Sequence, residues 1–155
     1  MEGPTNLRVQ AYTPARLFTL DEANGLILQI SGIFQRMDPK LARLRELQDL
    51  AEDAEMYWGS EGETMPLPER ERHVQLVTEA ADVRASLDLD LKEIHGLGCE
   101  VKDVASGLVD FPAAVEGNLA YLCWQRGEGT IANWHTLEGG FAGRKLLRPP
   151  PEAER

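Results

Sequence analysis

The chain has 155 residues, 43% of them hydrophobic, and a formal net charge of −10. That length and apolar content suit one compact domain with its own core and exclude a disordered body. The acidic balance (pI near 4.8) disfavours contact with phosphate backbones, so a broad nucleic-acid surface is not expected.

No run approaches the ~20 apolar residues of a membrane span. The opening residues, MEGPTNLRVQAYTP, lack the basic start and apolar middle of a secretory signal, which makes the cytoplasm the expected compartment. Cys99 and Cys123 are too few for a disulfide scaffold, and their spacing matches no zinc-knuckle pattern.

Along the chain, residues 1–15 read as loop and Arg16–Phe18 as a short strand or extended lead-in. Thr19-Leu20-Asp21-Glu22 then fits a capping box, in which the Thr19 hydroxyl takes an orphan amide hydrogen and Glu22 reaches back. Leu26, Ile30, Ile33, Met37, Leu41, Leu44 and Ala51 recur at three- and four-residue steps. This predicts one long helix bent at Pro39, or two collinear ones, over about 20–56. The connector 59–68, GSEGETMPLP, leads to a second helix over about 68–96 with a stripe of Leu76, Ala80, Val83, Leu87, Leu91 and Ile94. Two long helices with a short joint predict an antiparallel hairpin.

Past Gly98 the period changes to alternation. Strands are expected at Glu100–Val104, at Leu108–Phe111 (closed by Pro112), at Leu119–Gln125 in the centre of the sheet, and at Thr130–Leu137, with Lys145–Leu147 as a last edge strand. The short glycine turns between them predict an antiparallel meander. The domain therefore reads as residues 1–150, made of a first helix with its lead-in (16–58), a second helix (68–96) and a β-meander (99–147), followed by a disordered tail, 148–155.

At GCEVKD, GLVDFPA, LCWQRGE and WHTLEGGFAGR, together with FTLDEAN near the start, the chain resembles a prokaryotic family catalogued as domain of unknown function 2203. The resemblance covers about Phe18 to Leu147. It implies a helical hairpin joined to a small β region, and no activity, cofactor or catalytic residue. Positions matching its signature are Lys102, Asp103, Asp110, Phe111, Cys123, Trp124, Gly127, Glu128, Trp134, His135, Gly140, Phe141, Gly143 and Arg144. Cys99 and Gln125 depart from it.

Three constellations could carry chemistry. His95, Cys99, Cys123 and His135 are the residue types of a tetrahedral zinc site, making a divalent metal the one cofactor the side chains suggest. The plainer reading makes Cys123 a core thiol and His95 a helix-end cation. Asp103, Asp110, His135 and Glu138 would serve proton transfer if they converge; the plainer reading gives strand-end carboxylates that bind backbone amides, Lys102 or Arg144. Trp124, Trp134 and Phe141, with Arg144 and Lys102, would wall a pocket for a small anion or a peptide carboxylate, or would simply fill the core. Neither a GxxxxGK[ST] nor a GxGxxG pattern is present. Ile27, Leu28, Leu47 and Leu50 widen the first helical stripe, which predicts self-association through the helices.

The sequence thus predicts an α+β fold: a long antiparallel helical hairpin packed against a small antiparallel β-sheet. Its function reads as a non-catalytic cytoplasmic binding or assembly module, with a ligand surface at Trp124, Trp134, His135, Phe141, Arg144 and Lys102. The alternative is a small metal-assisted hydrolase using Asp103, Asp110, His135 and Glu138.

Overall fold

The computed structural model describes residue 14, residues 16–59 and residues 64–147. The loop expected before Arg16 (Pro14 excepted), the middle of the connector and the tail from 148 onward lie outside the described residues. The chain divides into two compact units. One runs up to Ile30 and resumes at Ile94; the other is Ser31–Glu93.

The first helix, α1 (Leu20–Gly25), starts on the capping box read from the sequence: Thr19 Oγ1 accepts from the Glu22 amide, and the Glu22 carboxylate accepts from the Thr19 amide. Helix α2 (Ile27–Trp58) follows after a break at Leu26, and its ladder continues through Pro39. The interruption therefore falls beside Gly25, a poor helix former, rather than at the proline. One lost hydrogen bond at Pro39 is outweighed by burial of Ile33, Phe34 and Met37 on the preceding turns. Helix α3 (Leu67–Gly96) buries Ala80, Leu87 and Ile94 as the stripe requires.

Within the 31–93 unit, ion pairs fix the direction of the hairpin. Arg36 and Lys40 meet Asp90, Arg43 meets Glu79, and Glu55 meets His73, so α3 runs back along α2. Asp90 is only 4% exposed. Burial alone would raise its pKa, but hydrogen bonds from Lys40 (2.7 Å) and Arg36 (2.9 Å) outweigh that and hold it below the ordinary aspartate range.

In the other unit the described strands form a five-stranded antiparallel sheet in sequence order: β1 (Glu100–Asp103), β2 (Leu108–Val115), β3 (Asn118–Gln125), β4 (Asn133–Thr136) and β5 (Lys145–Leu146). The molecule is α+β, with β3 central as its doubly apolar alternation suggests. Strand β2 continues four residues beyond the end expected at Phe111. A residue's N–H and C=O project to the same side of a strand, and the Pro112 carbonyl faces away from β3, accepting from Phe18 N at 2.7 Å. Pairing of β1 with β2 ends at Glu100–Asp110, so the missing proline amide removes no ladder bond. The lead-in before α1 is thus extended chain lying along β2, and the Phe18 ring meets Phe111 edge-on at 5.3 Å. The β2–β3 hairpin closes on Glu116 (φ 53°) and Gly117 (φ 80°), the paired positive φ values of a tight two-residue loop. Gly107 (φ 70°) touches the Arg126 side chain so closely that an added Cβ would lie 2.5 Å from Arg126 Cβ.

Candidate functional site

Strand alternation gives the sheet two chemically different faces. Register pairs Phe111 with Leu122 and Leu122 with Trp134, and sets Val109 opposite Trp124. These side chains, with Ala113, Ala120 and the Phe18 ring, make the apolar face. The intervening residues face the other way: Asp110 stands opposite Cys123, and Tyr121 opposite His135. Adjacent strands thus bring Asp110, Cys123 and His135 together. Their potential ligand atoms lie within 4.8 Å of one another, and all three residues are at most 2% exposed.

The hydrogen bonds of this group define its protons. His135 Nδ1 lies 2.7 Å from the Thr136 carbonyl, an acceptor only, so Nδ1 carries a hydrogen and donates. His135 Nε2 lies 2.9 Å from Asp110 Oδ2. A bare Nε2 lone pair against a carboxylate would repel, so a proton lies between them, held by the ring or by the acid. Asp110 Oδ1 is buried with no hydrogen-bond partner. Burial first, then the Asp110 charge, pushes the Cys123 thiol up to about 12, so it is a thiol at neutral pH. Burial likewise raises Cys99 to about 11.

The segment entering β5 is clamped over the same region. Arg144 Nη2 reaches both Glu128 oxygens (2.8 and 2.9 Å) and the Cys123 carbonyl (3.3 Å), and its guanidinium lies over Phe141, 4.8 Å from the ring centroid. Glu128 Oε1 also accepts from the Gln125 amide, and the Glu128 carbonyl accepts from the Trp124 indole N–H. Glu128 therefore ties the β3–β4 turn to Arg144.

A family model described as "Uncharacterized conserved protein (DUF2203)" matches residues 16–147. The chain belongs to this family. No curated protein and no solved structure matches it. The DUF2203 match spans the whole polar cluster, the Arg144–Glu128 clamp and both long helices. Among the described residues no helix is long and apolar enough to cross a membrane.

Of the residues singled out by sequence in this DUF2203 chain, some meet and others part. Asp110, Cys123 and His135 converge. His95 Nε2 instead accepts from the Val101 amide, and Cys99 Sγ donates to the Ile94 carbonyl, so neither enters the cluster. The Asp103 carboxylate accepts from the Ser106 amide and hydroxyl, and these bonds lower its pKa. Glu138 is exposed, and the four carboxylate and histidine positions of the hydrolase arrangement do not come together. Lys102 pairs with Glu100 at 3.4 Å and lies 5.3 Å from the Tyr121 ring centroid. Trp124 is 1% exposed and points to the apolar face, opposite to His135, while Phe141 is 48% exposed.

Trp134 is half-buried and stands on the apolar side with Lys145, whose Nζ lies 5.0 Å from the ring centroid. Val115, Glu116, Leu146 and Leu147 complete a cavity of about 570 Å³ around them. Val115 and Glu116 carried no functional signal in the sequence, and Lys145 stood out only as part of the basic cluster Arg144, Lys145 and Arg148; strand register brings all three to Trp134. In the helical unit, Leu50, Ala54, Trp58, His73 and Leu76 contribute to a second cavity of about 350 Å³.

Proposed function

We propose that this protein is a non-catalytic binding and assembly module. Its β unit takes up an extended, carboxylate-bearing peptide segment in the groove between Trp134, Lys145 and the β2–β3 turn. What supports this reading is the groove itself: an indole wall, an ammonium poised over that wall, and apolar flanks from Val115 and Leu147 around about 570 Å³. Lys145 would receive the carboxylate, and Trp134 would carry a neighbouring apolar side chain. The polar trio Asp110, Cys123 and His135 is enclosed on the other face, which argues against a substrate-accessible base.

A panel of short peptides with free or amidated carboxyl ends, followed by anisotropy, tests the assignment. Free-acid peptides are expected to bind, with amidation or Lys145→Glu weakening them at least about tenfold. Equal binding of amidated peptides, or binding indifferent to Trp134→Ala, would remove the basis of the reading.

Assembly through the helices rests on Leu50 (45% exposed) and Met56 (87%), apolar side chains that the 31–93 part of α2 leaves in solvent. A second copy is the proposed occupant of this face. Light scattering should give a dimer at micromolar concentration, and a monomer there would refute it. Leu47, by contrast, is fully buried and contributes nothing to such a contact.

A further inference from the structure

We propose that Asp110, Cys123 and His135 form a buried site for one divalent transition-metal ion, with zinc the best match to the donors. The inference is independent of the peptide groove, which lies on the opposite side of the sheet. Carboxylate oxygen, thiolate sulfur and imidazole nitrogen are the three protein donor types that zinc accepts together, and the same set takes cobalt(II). With zinc bond lengths of about 2.0–2.3 Å, tetrahedral neighbours sit roughly 3–4 Å apart. The present atoms, all within 4.8 Å of one another, are close to that spacing.

Two further observations point to an ion rather than to a simple polar cluster. First, Asp110 Oδ1 is enclosed, with the residue 2% exposed, and accepts no hydrogen bond; besides His135, the carboxylate has only the neighbouring Cys123 thiol beside it. A buried carboxylate oxygen left bare is costly, and a cation on the open side of the carboxylate would satisfy it. Second, His135 Nδ1–H is fixed on the Thr136 carbonyl at 2.7 Å. That bond is the usual outer contact of a metal-binding imidazole: it sets the tautomer and aims the Nε2 lone pair inward. Nε2 is aimed at Asp110, beside Cys123. The ion would replace the proton now shared by Nε2 and Oδ2, and the thiol proton would leave with it. Arg144 beside Cys123 is charge-balanced by Glu128 and can donate to the thiolate instead of repelling the metal. With its donors drawn from three adjacent strands, such an ion would pin β2, β3 and β4 in register. Because all three ligand residues are at most 2% exposed, the role assigned to the ion is structural.

The test uses the full chain, purified without a metal-affinity tag, stripped with chelator and titrated with cobalt(II). The chain has two cysteines. In Cys99→Ser, Cys123 is therefore the sole thiol, and a thiolate-to-cobalt charge-transfer band saturating near one equivalent is the expected result. The assignment does not require a Cys123 variant to fold. Zinc should displace the cobalt and raise the urea midpoint of this variant, and His135→Gln made in the same background should weaken cobalt binding at least tenfold. Absence of the band in both wild type and Cys99→Ser would overturn the site. So would a band in Cys99→Ser that His135→Gln leaves unchanged.

Discussion

Replacing His135 by Ala should destabilise the β unit by about 3–5 kcal/mol, whereas Asp110→Asn should cost less than about 1 kcal/mol. The ordering follows from which groups each change strands. His135 Nδ1 is committed to the Thr136 carbonyl, so a ring carrying only that hydrogen presents Nε2 as an acceptor to residue 110. The side-chain amide introduced by Asp110→Asn can donate to that nitrogen across the present 2.9 Å, leaving a neutral and satisfied pair. Asp110→Ala strands one buried nitrogen, for about 1–3 kcal/mol. His135→Ala strands a carboxylate that is 2% exposed, one of whose oxygens already has no partner. The double alanine variant removes both partners, and should lose less than the sum of the singles by about 1–3 kcal/mol. Urea denaturation in chelator, followed by tryptophan fluorescence and far-UV circular dichroism, reads these values as midpoint shifts at constant slope. Equal losses in Asp110→Asn and His135→Ala, or additivity of the two alanines within about 0.5 kcal/mol, would refute the shared-proton account.

Asp90→Asn should cost the helical hairpin about 1–3 kcal/mol, below the value for a sealed ion pair, because Arg36 is 46% and Lys40 27% exposed and both can rehydrate. Since folding lowers the Asp90 pKa, its contribution is present in full above the ordinary aspartate value near 3.8. It is lost as pH falls through the lower folded value, so the wild-type advantage over Asp90→Asn should vanish in acid urea titrations. An advantage that persists at the lowest pH would exclude this origin. Both thiols, raised to about 12 and about 11 and buried, should ignore a disulfide reagent at pH 8 until urea is added. Rapid modification of either thiol in the native protein would contradict their enclosure.

What was legible in the sequence was local. The Thr19–Glu22 box, the three- and four-residue stripes ending in Ile30, Ile33 and Met37 or in Ala80, Leu87 and Ile94, and the meander order all follow from short-range chemistry. Strand ends were harder. Pro112 reads as a stop until one knows that β1 has already ended and that its carbonyl serves Phe18. Parity in the sequence already separates Trp134 from His135, because neighbours on a strand face opposite ways. The meeting of Asp110 with Cys123 and His135 needs register across three strands, which no single-strand pattern supplies. Asp90 was invisible for another reason: it occupies a buried position on the α3 stripe, and only its partners fifty residues earlier explain a charge there.

The rims of the sheet have a consequence for how copies of the protein meet. Strand β1 carries a register shift between Val101 and Asp103 and bears Glu100, Lys102 and Asp103, while β5 is two residues long and starts with a lysine. Where β1 stops, Pro112 offers no amide and its oxygen is already taken by Phe18. None of these borders can template an incoming backbone over any length. Edge-to-edge pairing of native molecules is thereby disfavoured, and concentrated solutions of the folded protein should stay free of fibrils.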